Sequence, residues 1–557
     1  MRRHGIHLLS AAVFLAGFTW WFRVFDYVPD QRLLGDEGDG LFNLWALEHA
    51  RLQLPRGFAA LSDGRIFWPD NAQTFWWSDN LLVYQLLYAP LRALGFSLLN
   101  AYAGLVLLLS ILAFVITVYF FQSLYTLCVP EEARRNDPRR FFIPLLAFLT
   151  FFSQIRMRET LHLQHHSGFL LLLMLIFALR AMREPAPGPL RGLAVCQLLL
   201  LFSAPYYAVV GLGLLLMFVL VQWLRQGEAP LTLLRRSPRF LIASIGLFIL
   251  GVLPYLRVPS IRYSRSDLLI DSLSLPRLLL PLGGWPRSLI SHTLPGTSGG
   301  YLGLFLLLPL LLTLAHLLRH PRILRRPPAP ETCFLLLVLL WVYGLSFGPT
   351  FRDPLLGIDW GVWNLTRRFF PGVGAMRGLI RFAVVGQQLL AGLLFWLWLR
   401  QPRPPSRSSQ ALLAAWLLFS ATELPPTRAR IRELDGSLLT LTAEETEVFS
   451  PLRGSLMVLP ATPLHRNTYP MIRWVSLPDL SLVNGYSGRV GETLQQIIHA
   501  QTEGPEAVLH LLTDHQVTYL VLLHARVPPS FLEAAAAHTE HLWTGDRYSL
   551  YRLAQSP

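Results

Sequence analysis

Long runs of apolar residues, separated by short polar connectors, fill roughly the first three quarters of the chain. A helix that crosses a bilayer needs about 20 mostly apolar residues, and runs of this kind predict about eleven crossings. We therefore predict a polytopic α-helical membrane protein. The predicted crossings are roughly 6–26, 101–128, 141–155, 167–183, 192–204, 206–224, 240–257, 301–318, 332–348, 378–399 and 410–424.

Charge gives the predicted crossings an orientation. The formal net charge of +14 comes from arginine, because the sequence contains no lysine. The arginines concentrate in short connectors, as is typical of cytoplasmic loops under the positive-inside rule. The N-terminus is then cytoplasmic, and the long loops 27–100, 258–300 and 350–377 and the tail after 424 lie outside. Nothing in this distribution indicates a nucleic-acid partner.

Three segments complicate the count. Residues 1–26 resemble a signal peptide, but bulky residues follow the small pair Ala16-Gly17, so we interpret the segment as an uncleaved first crossing. Segment 81–97 is apolar but contains Pro90 and Arg92, and we expect it to lie at the interface or re-enter the membrane. Stretch 192–224 is predicted to split near Pro205.

The pattern changes after residue 424, where apolar runs shorten and acidic, histidine and threonine residues become common. Residues 455–459 and 517–523 are typical of buried strands, and residues 491–502 and 505–514 of helices. We therefore predict two parts, a transmembrane domain (1–424) and a small extracytoplasmic α/β domain (425–557).

Three carboxylates lie close together in the first outer loop, directly after the first crossing. Asp36, Glu37 and Asp39 alternate with Gly35, Gly38 and Gly40, which allow tight turns and close approach to a ligand. A helical pattern follows from Leu41, so each acid could instead cap the free N–H groups of that helix. We expect that one of the three acids caps the helix more readily than that all three do.

Several short motifs occur in an order that resembles one group of enzymes. The chain is similar to bacterial integral-membrane glycosyltransferases of the GT-C superfamily, in particular a poorly characterised branch, along nearly its whole length. The motifs are Gly35-Asp36-x-x-Asp39, Asn43-Leu44-Trp45 with His49, Phe67-Trp68-Pro69, Ser78-Asp79-Asn80-Leu81-Leu82, Leu161-His162-Leu163-Gln164-His165-His166, Phe347-Gly348-Pro349, Met376-Arg377-Gly378-Leu379-Ile380-Arg381-Phe382 and Val483-Asn484-Gly485-Tyr486-Ser487-Gly488.

This resemblance implies transfer of a sugar from a polyprenyl-phosphate-linked donor to a glycan, lipid or protein acceptor, at the outer face of a bacterial inner membrane. It also implies that an acid of the first outer loop is the general base or orients the acceptor, sometimes with a divalent metal. Asp36 matches that position best, with Asp39 second and Glu37 third. A carboxylate can take the proton of an acceptor hydroxyl during attack on the anomeric carbon. The Gly-Asp-Glu-Gly-Asp spacing departs from well-characterised members, and the metal requirement is left open.

A phosphate leaving group needs positive charge or hydrogen-bond donors. The candidates on predicted outer segments are Arg158, His162, His165, His166, Arg262, Arg265, Arg377 and Arg381. His162 and His166 are spaced i, i+4, so a shared helical face could also hold a metal with Asp36 or Glu37. The alternatives are that the histidines end a membrane span and that the arginines contact lipid headgroups or pair with acids. Tyr206 and Tyr207 either line a cavity or anchor the interface.

Two other function classes remain open. A carrier or lipid-handling protein would bind an anionic or lipid-phosphate substrate without chemistry, although carriers usually place ionisable residues within their spans. A scaffold would use the C-terminal domain to capture a partner. The sequence leaves undetermined the sugar, the acceptor, the oligomeric state and the role of the C-terminal domain.

Overall fold

The computed structural model describes most of the chain. The described residues are 4–22, 27–70, 73–134, 136–159, 162–184, 186–227, 232, 235–257, 272–273, 302–319, 328–348, 362–369, 379–401, 406–423, 431–462, 467–477, 479–486 and 491–554.

The chain forms two compact units. The first, here called the helical unit, comprises Met1–Asp26, Leu108–Thr160 and Gln164–Ala429. The second, the mixed unit, comprises a first-loop segment (Tyr27–Leu107), the short stretch Leu161–Leu163 and a C-terminal segment (Arg430–Pro557). The first-loop acids therefore belong to the same unit as the C-terminal sheet. The domain boundary between residues 424 and 425 stays a prediction.

Apolar helices make up the helical unit. Pro187–Leu201 packs against Gly168–Arg183, Pro205–Gln226 and Pro238–Arg257, and Pro330–Phe347 packs against Pro205–Gln226 and Ala383–Leu399. The other helices are His4–Phe22, Glu131–Arg134, Phe142–Phe151, Gln154–Glu159, Leu304–Arg319, Val362–Phe369 and Arg407–Ser420. The 3₁₀ turns are Pro138–Phe141, Leu163–Ser167, Leu379–Phe382 and Ala421–Glu423. One further helix, Leu98–Cys128, contains the boundary between the two units.

Six helices within the described residues are long and apolar enough to cross a membrane: Leu98–Cys128, Leu163–Arg183, Pro205–Leu224, Pro238–Arg257, Pro330–Phe347 and Leu379–Leu399. Leu8–Phe22, Pro187–Leu201 and Leu304–Ala315 are apolar but shorter. The protein is thus a mostly helical membrane protein, and the predicted count of about eleven crossings is not confirmed.

Two local predictions can be compared with the helix bounds. The stretch 192–224 is split as predicted, because one helix ends at Leu201 and the next begins at Pro205, whose missing N–H is tolerated in a first turn. In the segment 81–97, a 3₁₀ turn (Leu82–Tyr84) leads into the helix Gln85–Ala93 of 9 residues. At 1.5 Å per residue that helix spans about 14 Å, roughly half of the hydrocarbon core.

The mixed unit combines short helices with two sheets. Strand β1 (Arg32–Leu34) pairs antiparallel with β2 (Ile431–Glu433) and so joins the first-loop segment to the C-terminal segment. Strands β3 (Gly454–Leu459), β4 (Leu480–Leu482), β5 (Tyr519–Leu523), β6 (Thr539–Thr544) and β7 (Tyr548–Leu553) form the larger sheet in the order β4-β3-β5-β7-β6. Helices are Asp39–Gln53, Phe58–Ser62, Gln85–Ala93, Ala443–Phe449, Thr468–Arg473, Glu492–Glu503, Pro505–Asp514 and Pro529–His538, and further 3₁₀ turns are Leu54–Arg56, Thr74–Trp77 and Gly436–Leu438.

The larger sheet is mixed. Strand β3 is parallel to β4 and β5, whereas β7 is antiparallel to β5 and β6. The predicted buried strands at 455–459 and 517–523 and the predicted helices at 491–502 and 505–514 correspond to β3, β5 and the helices Glu492–Glu503 and Pro505–Asp514. Strands β3 and β5 could be recognised from the sequence because their apolar runs are longer than those of an antiparallel sheet with one face in water.

The first-loop segment also covers the edge of this sheet. The Trp68 N–H donates to the Leu482 carbonyl at 2.9 Å, and the Leu482 N–H donates to the Arg65 carbonyl at 2.8 Å. Such pairing satisfies the free backbone groups of the edge strand β4. The first-loop segment and the C-terminal segment are therefore parts of one folded body.

Asn484, from the motif 483–488, completes the same edge. Its Oδ1 accepts from the Val458 N–H at 2.7 Å, and its Nδ2 donates to the Val458 carbonyl at 2.9 Å, in a buried position. We expect Asn484→Ala to destabilise the mixed unit by about 2–4 kcal/mol, because two buried backbone groups lose their partner. Unfolding of purified protein followed by near-UV circular dichroism measures this. Exposed Gln496→Ala is the control, and equal stability of the two variants would contradict the role of Asn484.

Candidate functional site

The acidic stretch forms the turn between β1 and the helix Asp39–Gln53, here called the first-loop helix. Strand β1 ends at Leu34, and Gly35 follows with φ = 127°, a conformation that L side chains rarely adopt. The first-loop helix begins at Asp39 and is almost entirely buried along its length. The glycine thus sets the direction in which the following acids are presented.

Asp36 is anchored by the backbone of this turn. Its Oδ1 accepts from the Gly38 N–H at 2.9 Å and from the Asp39 N–H at 2.7 Å. The N-cap residue of the helix is Gly38, which makes no side-chain cap, and Asp36 Oδ1 satisfies the free N–H of the first helical residue, Asp39. Within the described part of the chain, these backbone contacts involve Oδ1 only, and the residue is partly exposed. Two backbone N–H groups thus orient the carboxylate, and the described residues place no hydrogen-bond donor on Oδ2.

Asp39 is engaged at both oxygens by residues distant in sequence. Its Oδ2 lies 3.0 Å from His162 Nδ1, with 34% of the Asp39 side chain and 19% of the His162 side chain exposed. The Tyr486 hydroxyl donates to Oδ1 at 3.3 Å, and its ring makes an edge contact with Phe42 at 6.0 Å between centroids. A carboxylate in the first turn of a helix is also favoured by the helix dipole.

Glu37 faces the C-terminal segment. Its carboxylate accepts a hydrogen bond from Tyr469, and burial together with the negative charge of Glu37 raises the pKa of Tyr469 well above its usual value. Its backbone carbonyl accepts from Thr468 Oγ1 at 2.9 Å. Glu37 lines a cavity of about 470 Å³ whose other walls come from the C-terminal segment. The three acids therefore have three different environments.

Glu48 and His49, farther along the first-loop helix, have structural environments. Glu48 binds Arg51 through two hydrogen bonds of 2.6 and 3.0 Å and accepts from the Tyr88 hydroxyl at 3.0 Å. His49 Nε2 lies 3.1 Å from the Leu61 carbonyl, and burial lowers the pKa of His49 to about 4. Both side chains fix the helix within the mixed unit.

The remaining described candidates belong to the helical unit. His165 Nδ1 lies 3.1 Å from the Tyr207 hydroxyl and 3.4 Å from the Tyr206 hydroxyl. Both tyrosine rings contact Phe382, with centroids 5.9 and 5.8 Å apart, and partly buried Arg381 precedes Phe382 in the same 3₁₀ turn. His166 is 1% exposed. Histidine and aromatic residues thus form one cluster in this unit, and Tyr207 is a buried packing residue.

The prediction that His162 and His166 share a helical face is wrong. His162 lies in a bend, and residues Leu163–Ser167 form a 3₁₀ helix, in which positions four apart point about 120° away from each other. Among the described residues, no group of three or more histidine, cysteine or acidic side chains could hold a metal ion. The pair of Asp39 and His162 offers two candidate ligands, and no step is derived through a metal.

Four candidates cannot be placed. Arg262, Arg265 and Arg377 lie outside the described residues, as does the side chain of Arg158, whose backbone is in the helix Gln154–Glu159. Their assignment to a donor phosphate stays a prediction. Sequence reasoning in turn did not select Tyr469, Tyr486 or Arg526 as site residues. Tyr486 occurs within a quoted motif, whereas no local pattern marks Tyr469 or Arg526.

No protein-family model matches the sequence, and no curated protein matches it. Similarity to solved structures is distant. The archaeal oligosaccharyltransferase AglB from Archaeoglobus fulgidus, in complex with an inhibitory peptide and a dolichol-phosphate, is 11% identical with a TM-score of 0.48, over 100% of this chain and 74% of that chain. An oligosaccharyltransferase structure from the same organism, in complex with Zn and sulfate, is 10% identical with a TM-score of 0.46, over 98% and 72%.

ArnT from Cupriavidus metallidurans, bound to undecaprenyl phosphate, is 13% identical with a TM-score of 0.43, over 100% of each chain.

Proposed function

We propose that this protein is a glycosyltransferase that moves a sugar from a polyprenyl-phosphate-linked donor to an acceptor at the outer face of the membrane. The observation that carries the proposal is the anchored carboxylate of Asp36. Two backbone N–H groups bind its Oδ1 at 2.9 and 2.7 Å, which leaves Oδ2 to accept a proton. The motif resemblance supplies the reaction class, and the site chemistry agrees with it.

In the proposed step, Asp36 Oδ2 takes the proton of an acceptor hydroxyl. The hydroxyl oxygen forms a bond to the anomeric carbon of the donor sugar as the bond from that carbon to the phosphate oxygen breaks. The phosphate leaves with its lipid, and the proton stays on Asp36 until it passes to solvent. Fixed orientation of the base reduces the entropy that the reaction must overcome.

Asp39 and His162 support this base as positioning residues. His162 Nδ1 lies 3.0 Å from Asp39 Oδ2, where a protonated imidazole forms an ion pair with the carboxylate, while Tyr486 donates to Oδ1. Asp39 also supplies one of the two N–H groups that hold Asp36, so fixing its side chain fixes that N–H. The assignment of His162 to Asp39 replaces its predicted contact with the donor phosphate in this proposal.

The donor-phosphate role of His165, His166 and Arg381 remains part of the proposal. Arginine and histidine can stabilise the charge of a leaving phosphate. The proposal gives the same donor-phosphate role to Arg158, Arg262, Arg265 and Arg377.

A reconstituted assay tests the function. Full-length protein in liposomes is incubated with radiolabelled polyprenyl-phosphate sugars and a cell-envelope fraction, and the label that leaves the lipid is followed. We expect transfer to an envelope component that requires active protein. Lipid-linked sugar that is bound or moved between leaflets without any transfer would contradict the proposal and favour a carrier.

A further inference from the structure

A cavity of about 470 Å³ lies within the mixed unit, beside the acidic turn. Its lining is Glu37 from the first-loop segment and Val458, Pro460, Thr462, Asn467, Tyr469, Pro470, Leu523 and Arg526 from the C-terminal segment. This volume falls in the range of small-molecule sites, roughly 300–1,000 Å³. The proposed reaction step does not use the cavity.

The lining mixes two kinds of surface. A carboxylate, an amide, two hydroxyls and a guanidinium are present, from Glu37, Asn467, Thr462, Tyr469 and Arg526. The other residues contribute apolar faces of proline, valine and leucine. A saccharide needs this combination, because each ring carries hydroxyls at its rim and C–H groups on its faces. An acyl chain would offer no hydrogen-bond partner to the carboxylate and the guanidinium of this lining.

Two side chains of the lining are placed to contact a ligand. Arg526 is exposed and offers a planar set of donors that suits adjacent oxygens. Glu37 is oriented by Tyr469 on one side and can accept from vicinal hydroxyls on the other.

One lining residue of the cavity is also adjacent to the proposed base along the sequence. Glu37 directly follows Asp36, and consecutive Cα atoms are about 3.8 Å apart. A ring held by Glu37 would thus be bound by the residue that directly follows the proposed base, although the two side chains face different surroundings. We propose that this cavity binds a saccharide unit of the acceptor, so that the C-terminal segment selects a glycan acceptor. The identification of the bound saccharide as part of the acceptor rests on the proposed function. Saccharide binding itself does not depend on sugar transfer.

Direct binding is therefore the test. Saturation-transfer difference NMR on full-length protein in micelles uses glucose, galactose, mannose, N-acetylglucosamine and their disaccharides as probes, without donor. We expect at least one saccharide to bind, and Glu37→Gln and Arg526→Ala to weaken it at least tenfold. Arg547→Ala removes an exposed arginine of the same segment that does not line the cavity, and binding should be unchanged.

The variant Asp36→Asn separates the two proposals, since it should bind the saccharide as the wild type does. In the transfer assay, Arg526→Ala should raise the acceptor KM at least tenfold and leave kcat within about twofold. Failure of all saccharides to bind, or wild-type binding by Arg526→Ala, would overturn the cavity assignment. Saccharide binding combined with wild-type transfer by Asp36→Asn would overturn the proposed base and leave the cavity assignment standing.

Discussion

Replacement of Asp36 by asparagine is expected to lower kcat for sugar transfer by about 10²- to 10⁴-fold, the usual contribution of a positioned general base. The substitution is nearly isosteric, and the amide oxygen of asparagine can still accept from the N–H groups of Gly38 and Asp39. The turn should therefore fold as in the wild type while the base is lost. Initial rates in the liposome assay, with donor and acceptor saturating, measure the effect.

Two comparison variants sharpen this result. Glu433→Gln removes an equal charge from the same unit at a side chain that is 89% exposed, and its kcat should stay at the wild-type value. Asp39→Asn should reduce kcat by less than Asp36→Asn, because it loosens the contacts to His162 and Tyr486 without removing the base. A wild-type rate for Asp36→Asn together with an inactive Asp39→Asn would move the proton acceptor to Asp39.

The second large effect is expected on stability, from Glu48→Gln. The Glu48 side chain is 5% exposed and lies 2.6 Å from Arg51 and 3.4 Å from Arg92. Removing one partner of a buried ion pair costs about 3–5 kcal/mol, and we expect about 3 kcal/mol because both arginines keep some contact with water. Their side chains are 30% and 22% exposed. Thermal unfolding should shift down by about 6–12 °C for a unit of this size.

The same variant has a pH signature. Burial favours protonated Glu48, but hydrogen bonds from Arg51 and Tyr88 and the charges of Arg92 and Arg51 outweigh it and hold the pKa of Glu48 below its usual value. A depressed pKa contributes stability that is present above the unfolded-state pKa, about 4.3, and is lost as the pH falls through the folded-state pKa. The difference between wild type and Glu48→Gln should therefore shrink below about pH 4. Exposed Glu433→Gln should match the wild type throughout, and a difference independent of pH would contradict the ion-pair explanation.

The hydrophobic pattern alone determined much of the fold. Helix cores, the break before Pro205 and the elements of the C-terminal sheet follow from local runs, because burial in lipid or between layers requires continuous apolar sequence. The number of crossings did not follow from the same pattern. Several apolar helices, such as Pro187–Leu201, are shorter than a full span, and local composition does not set how far a helix continues.

The sequence also singled out Asp36, Glu37 and Asp39 as a group, since three acids between glycines after an apolar segment are unusual in composition alone. Only the tertiary structure distinguished among them. Asp36 binds its own turn, Asp39 contacts Tyr486 across 447 residues of chain, and Glu37 faces a cavity built by the C-terminal segment. Adjacent residues on a turn point in different directions, and their partners come from segments that folding alone brings together, so neither spacing nor composition could assign these environments.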